Sequence, residues 1–248
     1  SAGCHHTLPT VLPLPSSTTP VVSTATLLSS TSSPTIPSPT TVSPTPLPST
    51  ATPQPKEHLT LLKGPYLVFG DPGSMHILWQ SNVLEDFVFE WGSDDNYLSG
   101  SLPVAGNPEN RLYQVELKGL QPGMHYYYRV STAGAETRGD FFSPPSEGAG
   151  LVFWAFGDTR SGPEIHNQIA RDILAEVQQN PAAQTFVLSA GDLMDTNSEA
   201  SLQESEFPID ESDMPMLQAH FPVVNTLGNH DSLSLFKEYF PYPNNDTN

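Results

Sequence analysis

The chain has 248 residues, 27 of them acidic and 9 basic, giving a formal net charge of -18 at pH 7. That length accommodates one or two domains. The acidic balance argues against nucleic acid as the main partner, because phosphate backbones are gripped by Lys and Arg, although small phosphate esters remain open where metal ions supply the positive charge.

In chain order, the first segment is low in complexity. Residues 1–55 contain no Asp, Glu, Lys or Arg and consist largely of Ser, Thr and Pro. Such a composition cannot bury enough apolar area to offset its ordering entropy, so 1–57 is expected to form a disordered, partly polyproline-II stalk. It is either a plain linker or, with Ser and Thr dense beside Pro, an O-glycosylated stalk. Cys4 is the single cysteine, which excludes an internal disulfide and a Cys-based zinc site. Its context, Ser1-Ala2-Gly3-Cys4, resembles the end of a bacterial lipoprotein signal sequence, where the Cys after small residues becomes lipidated. The resemblance implies an exported protein at a bacterial cell surface or outside it, touching the membrane only through a lipid anchor on Cys4. A plain thiol near a frayed terminus is the alternative. No run of about 20 apolar residues is present to span a bilayer.

From 58 to 147 the pattern is period-2. Met75, Ile77 and Trp79 share one face of SMHILWQ; Phe87, Phe89 and Trp91 share one face of FVFEW; Tyr126, Tyr128 and Val130 alternate in HYYYRV. Turn sequences DPGS, GSDDN, GNPEN and LQPG separate these runs, which predicts a small antiparallel β-sandwich. The run Leu120-Gln121-Pro122-Gly123-Met124-His125-Tyr126 resembles the tyrosine-corner element of fibronectin type III domains. The opening GPYL and the WQS segment are similar to the N-terminal domain of purple acid phosphatases. His76 and His125 lie on patterned strands and are expected to pack.

From 148 the pattern changes. LVFWAFG is a continuous apolar run, expected as a strand buried on both faces, and ends in Gly157-Asp158. Pro163 opens a helical stretch whose apolar positions Ile165, Ile169, Ile173, Leu174 and Val177 follow helical spacing, and Asn180-Pro181 stops it. A second strand, QTFVLSA, ends in Gly191-Asp192. The segment from Asp192 to Asp213 is rich in acids without a base and is expected to be a solvated, mobile loop lacking a calcium-loop signature. A short helix DMPMLQAH and a third strand, PVVNTL, follow, ending in Gly228-Asn229-His230-Asp231. Strand–helix–strand–helix–strand predicts a parallel α/β sheet, with ligands at the carboxyl ends of its strands.

Three consecutive strands would therefore deliver Asp158, Asp192 and Asn229-His230 to one edge, each after a glycine that permits a sharp exit. Carboxylates and an amide oxygen suit hard cations, two of which clamp a phosphoryl group and generate a hydroxide nucleophile near neutral pH. An adjacent imidazole can protonate the leaving oxygen. GD, GD and GNHD in this order resemble the calcineurin-like metallophosphoesterase superfamily, and the preceding sandwich narrows the likeness to the purple acid phosphatase group. The resemblance implies a metal-dependent phosphatase acting on small phosphate monoesters. It implies two metal ions (Fe, Zn or Mn), with Asp158 on the first, Asp192 bridging, Asn229 on the second and His230 as the acid.

Two positions depart from that pattern. Arg160 stands where the purple group has Gly and other members of the superfamily have a metal-binding His, and suits either a phosphate contact or a structural ion pair. Asp195 replaces the group's metal-ligating Tyr, so any ligation there is carboxylate and the enzyme would not be purple. The group's two later His motifs do not follow His230, so the sequence is expected to be a fragment of a longer enzyme that by itself binds metal weakly and hydrolyses little. His166, on a helix, and His220, before a strand, are poor substitutes. The competing readings are a surface interaction or adhesion protein with a degenerate phosphoesterase scaffold, and a phosphodiesterase or nucleotidase sharing the same metal core.

Overall fold

Alternation of apolar side chains closes the first part of the chain into two facing antiparallel sheets. The computed structural model describes residues 58–209 and 213–243. The expected stalk 1–57 with Cys4, together with 210–212 and 244–248, lies outside the described residues. The strands are β1 (Leu61–Phe69), β2 (Met75–Ser81), β3 (Phe87–Gly92), β4 (Gly100–Val104), β5 (Leu112–Leu117), β6 (His125–Thr132) and β7 (Ala135–Phe142). One sheet runs β1-β2-β5 and the other β4-β3-β6-β7. Met75, Ile77 and Trp79 point between them and meet Phe87, Phe89, Tyr113, Tyr128, Val130 and Phe141. Trp79 stacks on Tyr113 with ring centroids 5.4 Å apart, one of the offset arrangements that aromatic quadrupoles favour. The expected tyrosine corner is present: the Gln121 backbone N–H donates to the Tyr126 hydroxyl at 2.9 Å.

The second part follows as β8 (Trp154–Phe156), α1 (Pro163–Gln179), a 3-10 turn (Pro181–Ala183), β9 (Val187–Ser189), α2 (Glu199–Ser205), α3 (Asp213–His220), β10 (Val223–Asn225) and α4 (Leu233–Tyr239). The last three strands form a parallel sheet in the order β10-β9-β8. Their register is even: Trp154, Val187 and Val223 share one row, and Phe156, Ser189 and Asn225 share the last. The strand ends therefore lie side by side. A parallel bridge between Leu67 and Pro222 joins β1 to the start of β10. No described helix is long and apolar enough to cross a membrane.

Three expectations are corrected. The run LVFWAFG supplies a strand of only Trp154–Phe156; Leu151, Val152 and Phe153 are exposed, and so is Ala155, because β8 is an edge strand. In α1 the buried residues are His166, Asn167, Ala170 and Ile173, whereas Ile165 and Ile169 face out. The helix is rolled toward α3 by polar anchoring: the Asn167 carboxamide oxygen accepts the backbone N–H groups of Asp213 and Met214, each at 3.0 Å, satisfying donors that open α3. The acidic segment is not simply a solvated loop, since it contains α2, capped by Ser198, and buries Asp192 and Glu206.

β2 is buried on both faces, beyond what half-buried alternation implies. The outer face of its sheet is covered by the second part of the chain, with Tyr66, Val68 and Leu78 packed among Leu193, Met194, Leu202, Phe207, Phe236, Tyr239 and Phe240. Lys63 is buried within this seam. Its ammonium donates to Gln80, pairs with Glu199 at 3.1 Å and sits 4.6 Å from the Tyr239 ring centroid. A second seam forms at Asp140 on β7, which accepts from His125 on β6 and His220 at the end of α3, and from Gln184 at 3.0 Å. Burial alone would raise the Asp140 carboxyl, but the hydrogen bonds and charge from His220, with those from Gln184 and His125, outweigh it and hold it at about 2.

Because that value lies below the ordinary 3.8, the stabilisation is present above the ordinary value and is lost as pH falls through it toward about 2. Asp140→Asn is expected to lower stability by about 1–3 kcal/mol near neutrality, the usual loss for a broken charge-assisted hydrogen-bond set. Thermal melts from pH 7 to pH 2 check this: the gap between wild type and variant should narrow at the acid end.

Candidate strand-end site

The residues that follow the last register row turn sharply toward one another. Asp158 and Asp192 both adopt left-handed backbone, with φ of 55° and 56°, a conformation that Asp tolerates better than most residues. Gly191 is also left-handed at φ 88°. At Gly228 the requirement is space, since a Cβ there would stand 2.1 Å from Asp192 Oδ1. The expected shared role of the glycines as sharp exits therefore holds at Gly191, while Gly228 serves close approach instead. The Asp158 N–H donates to the Gly191 carbonyl at 3.0 Å and the Arg160 N–H to the Asp192 carbonyl at 3.1 Å, zipping the first two strand exits together.

Around Asp192 the side-chain geometry is specific. Its Oδ1 accepts the His230 backbone N–H at 3.2 Å, and its Oδ2 accepts from Arg160 Nε at 3.2 Å. Arg160 Nη1 reaches Asp195 Oδ1, also at 3.2 Å. Arg160 is thus shared between two carboxylates. Asp195 is exposed, and its N–H donates to the Ser201 hydroxyl of α2 at 2.8 Å. Asp158 and Asn229 are exposed and His230 is half-buried, with its backbone rather than its ring touching Asp192. His220 lies at the Asp140 seam, as does His125, and His76 contacts Gln114 within the sandwich.

Two residues with large effects carried no role in the sequence reading. Asp231 accepts four backbone N–H groups: Asp192 at 2.9 Å, Leu193 at 2.7 Å, Met194 at 3.2 Å and Gly228 at 2.8 Å. Its only sequence signal is its place in GNHD. Glu206 is fully buried beneath the Asp158 turn, where the Thr159 hydroxyl donates to it at 3.3 Å and Gln218 Nε2 at 3.2 Å. Burial pushes its carboxyl up to about 8 against those hydrogen bonds, helped by the charge of Asp231. The flanking Phe207-Pro208 is its only sequence signal. His166 is also buried, and burial lowers it to about 4. As a neutral ring it donates from Nδ1 to the Ser205 carbonyl at 3.3 Å, leaving Nε2 without a partner beside a cavity of about 50 Å³ that Asp158 and Thr159 also line.

Asp158, Asp192 and Asn229 offer carboxylate and amide oxygens, the donor chemistry of hard cations, and a protein cation already stands against Asp192. A two-metal set is not assembled: among the described residues, no group of three or more His, Cys, Asp or Glu side chains is gathered to hold a metal ion. Asp192 is instead engaged by Arg160, and Asp231 by backbone N–H groups.

No protein-family model and no curated protein matches the chain. Among solved structures it is similar to the purple acid phosphatase PPD1 from yellow lupin (Lupinus luteus) seeds, at 18% identity and a TM-score of 0.47, over 68% of this chain and 36% of that one. It is also similar to a twitchin kinase fragment of C. elegans, at 14% identity and a TM-score of 0.26, over 38% and 22% of the two chains. A pullulanase from Paenibacillus barengoltzii gives 10% identity and a TM-score of 0.23, over 64% and 37%. The chain spans little more than a third of the phosphatase's length.

Two outcomes follow from the site geometry. Asp231→Ala strands four backbone donors and is expected to cost about 2–4 kcal/mol, read as a lower melting temperature and faster amide exchange at Asp192, Leu193, Met194 and Gly228. For Glu206 the folded value lies above the ordinary 4.5, so its contribution is fully present below that value and is lost as pH rises toward about 8. Glu206→Gln removes that ionisation. Its melting temperature should stay flatter than that of wild type between pH 4.5 and pH 8, with the variant gaining on wild type toward the alkaline end.

Proposed function

We propose that the strand-end edge belongs to a metal-dependent, acid-phosphatase-like phosphoesterase that hydrolyses phosphate monoesters. The observation that carries this is the in-register parallel triplet β8, β9 and β10, whose exits read GD, GD and GNHD. Asp158, Asp192 and Asn229, with Asp195 as a further oxygen donor, would contribute part of the ligand set for Fe, Zn or Mn, the remaining ligands not being gathered among the described residues. When bound, the cations supply positive charge to the phosphoryl oxygens and lower the pKa of water. Arg160 orients the ester phosphate through its fork, and the His230 imidazole gives its proton to the leaving oxygen. Gly228 and Asp231 keep the Asp192 and His230 turns in contact, so that these groups are positioned before substrate arrives. The exported, lipid-anchored placement rests on Cys4 and the stalk composition alone.

A second reading, an interaction scaffold on the same fold, draws support from the Arg160 pairs with Asp192 and Asp195, which offset part of the site's charge internally.

Hydrolysis of p-nitrophenyl phosphate with added Mn²⁺, Zn²⁺ or Fe tests between them. Turnover is expected to be slow but metal-dependent, to fall to the metal-only background in Asp192→Asn, and to drop about 100-fold in His230→Ala. Turnover unchanged in Asp192→Asn would sink the enzyme reading, and complete absence of metal-dependent turnover would favour the scaffold.

A further inference from the structure

We propose that the small cavity beneath the Asp158 turn is a hydration site, in which an ordered water donates to Nε2 of His166 and ties α1 to the β8 exit. His166 is then a positioning residue for that exit. The ligand is water, so this link holds whether or not the edge binds a cation.

Two contacts fix the His166 ring. Nδ1 meets the Ser205 carbonyl at 3.3 Å, and the ring stands edge-on to Phe156 with centroids 4.9 Å apart. A carbonyl only accepts, so Nδ1 carries a proton. Burial lowers the imidazole to about 4, which makes the ring neutral at pH 7 and leaves its lone pair on Nε2. His166 is 3% exposed, and Nε2 has no partner among the described residues. A buried acceptor left unmet is costly, and a ring held in this way cannot turn to find a donor. The donor has to come to it. The cavity that Nε2 borders has about 50 Å³, whereas a water needs roughly 10–15 Å³ and two or more polar partners. Asp158, Thr159 and Ser161 line the same cavity, as does Gly162, which opens α1 with no side-chain cap. A water among them can donate one hydrogen to Nε2 and the other to an oxygen of the Asp158 turn, and accept from the Ser161 hydroxyl. An anion suits the cavity less, because neutral Nε2 accepts, Asp158 lines the wall and Glu164 stands in the first turn of α1.

The β8 exit needs such a tie. Asp158 is left-handed at φ 55°, and its N–H is held by the Gly191 carbonyl. Among the described residues its carboxylate has no hydrogen-bond or ion-pair partner, unlike those of Asp192, Asp195 and Asp231.

Two substitutions separate the ring nitrogens. His166→Asn keeps an N–H donor near the Nδ1 position and loses the Nε2 acceptor, whereas His166→Gln carries an amide oxygen to the Nε2 position. ¹⁷O relaxation dispersion, which counts waters that stay bound longer than the protein tumbles, should fall by about one water in His166→Asn and stay near the wild-type level in His166→Gln. The Asp158 and Arg160 N–H groups bond across to the β9 exit, and their exchange should quicken about ten-fold in His166→Asn while that of Glu206 stays unchanged. In wild type the ¹⁵N signal of Nε2 should lie upfield of a free, unprotonated ring nitrogen, a reading that needs no variant. A free-nitrogen signal there, or equal dispersion in wild type and both variants, would overturn the proposal. So would conversion of the ring to imidazolium on adding inorganic phosphate, which would make the occupant an oxyanion. Equal quickening at Glu206 and Asp158 in His166→Asn would make His166 merely structural and remove its positioning role.

Discussion

The strand-end edge depends on one carboxylate that is held by backbone donors. Asp231 gathers N–H groups from both the β9 exit and the β10 exit, two on each oxygen. Hydrogen bonds to a charged acceptor are stronger than neutral ones, and buried backbone donors are costly to leave unmet. The two loops consequently behave as one turn with a shared anchor. Gly228 can then lie directly against the Asp192 carboxylate, which places the His230 N–H on Asp192 Oδ1. Without this anchor, parallel strands would still end side by side, but the β9 and β10 exits would lose the carboxylate that joins them.

The sandwich contributes to the same precision from behind. Leu193 and Met194, which directly follow Asp192, are fully buried against Tyr66, Val68 and Leu78 on its outer face. A longer polar route runs from Lys63 to Glu199 at 3.1 Å, and within α2 the Ser201 hydroxyl accepts the N–H groups of Asp195 and Thr196. The sandwich thus helps set where Asp192 and Asp195 stand.

The acids near the site divide into three electrostatic kinds. Asp192 and Asp195 are compensated by Arg160, Asp231 is compensated by backbone dipoles, and Glu206 is held largely neutral at pH 7 by burial, with its carboxyl at about 8. One guanidinium offsets one of the two carboxylate charges on Asp192 and Asp195, and burial holds Glu206 largely neutral, so the local charge is somewhat smaller than the run of acids suggests.

Read alone, the chain made the alternation of the sandwich, the tyrosine corner at Tyr126 and the strand–helix–strand–helix–strand order around α1 and α3 legible, though not α2 or α4, because each follows from local periodicity and turn chemistry. It also marked Asp158, Asp192, Asn229 and His230 as residues delivered by strand ends. The long-range partners were hidden: which face of α1 turns inward, which acid is buried and neutral, and which carboxylate Arg160 chooses. Asn167 outweighed Ile165 and Ile169 because capping α3 satisfies buried donors, a demand that helical spacing cannot register. Glu206 and Asp231 read as ordinary acids in a chain full of them, and only packing separates one under a strand exit from one in solvent. Local pattern determined which groups could meet; the tertiary structure decided which did, since burial and hydrogen-bond supply depend on residues tens of positions away.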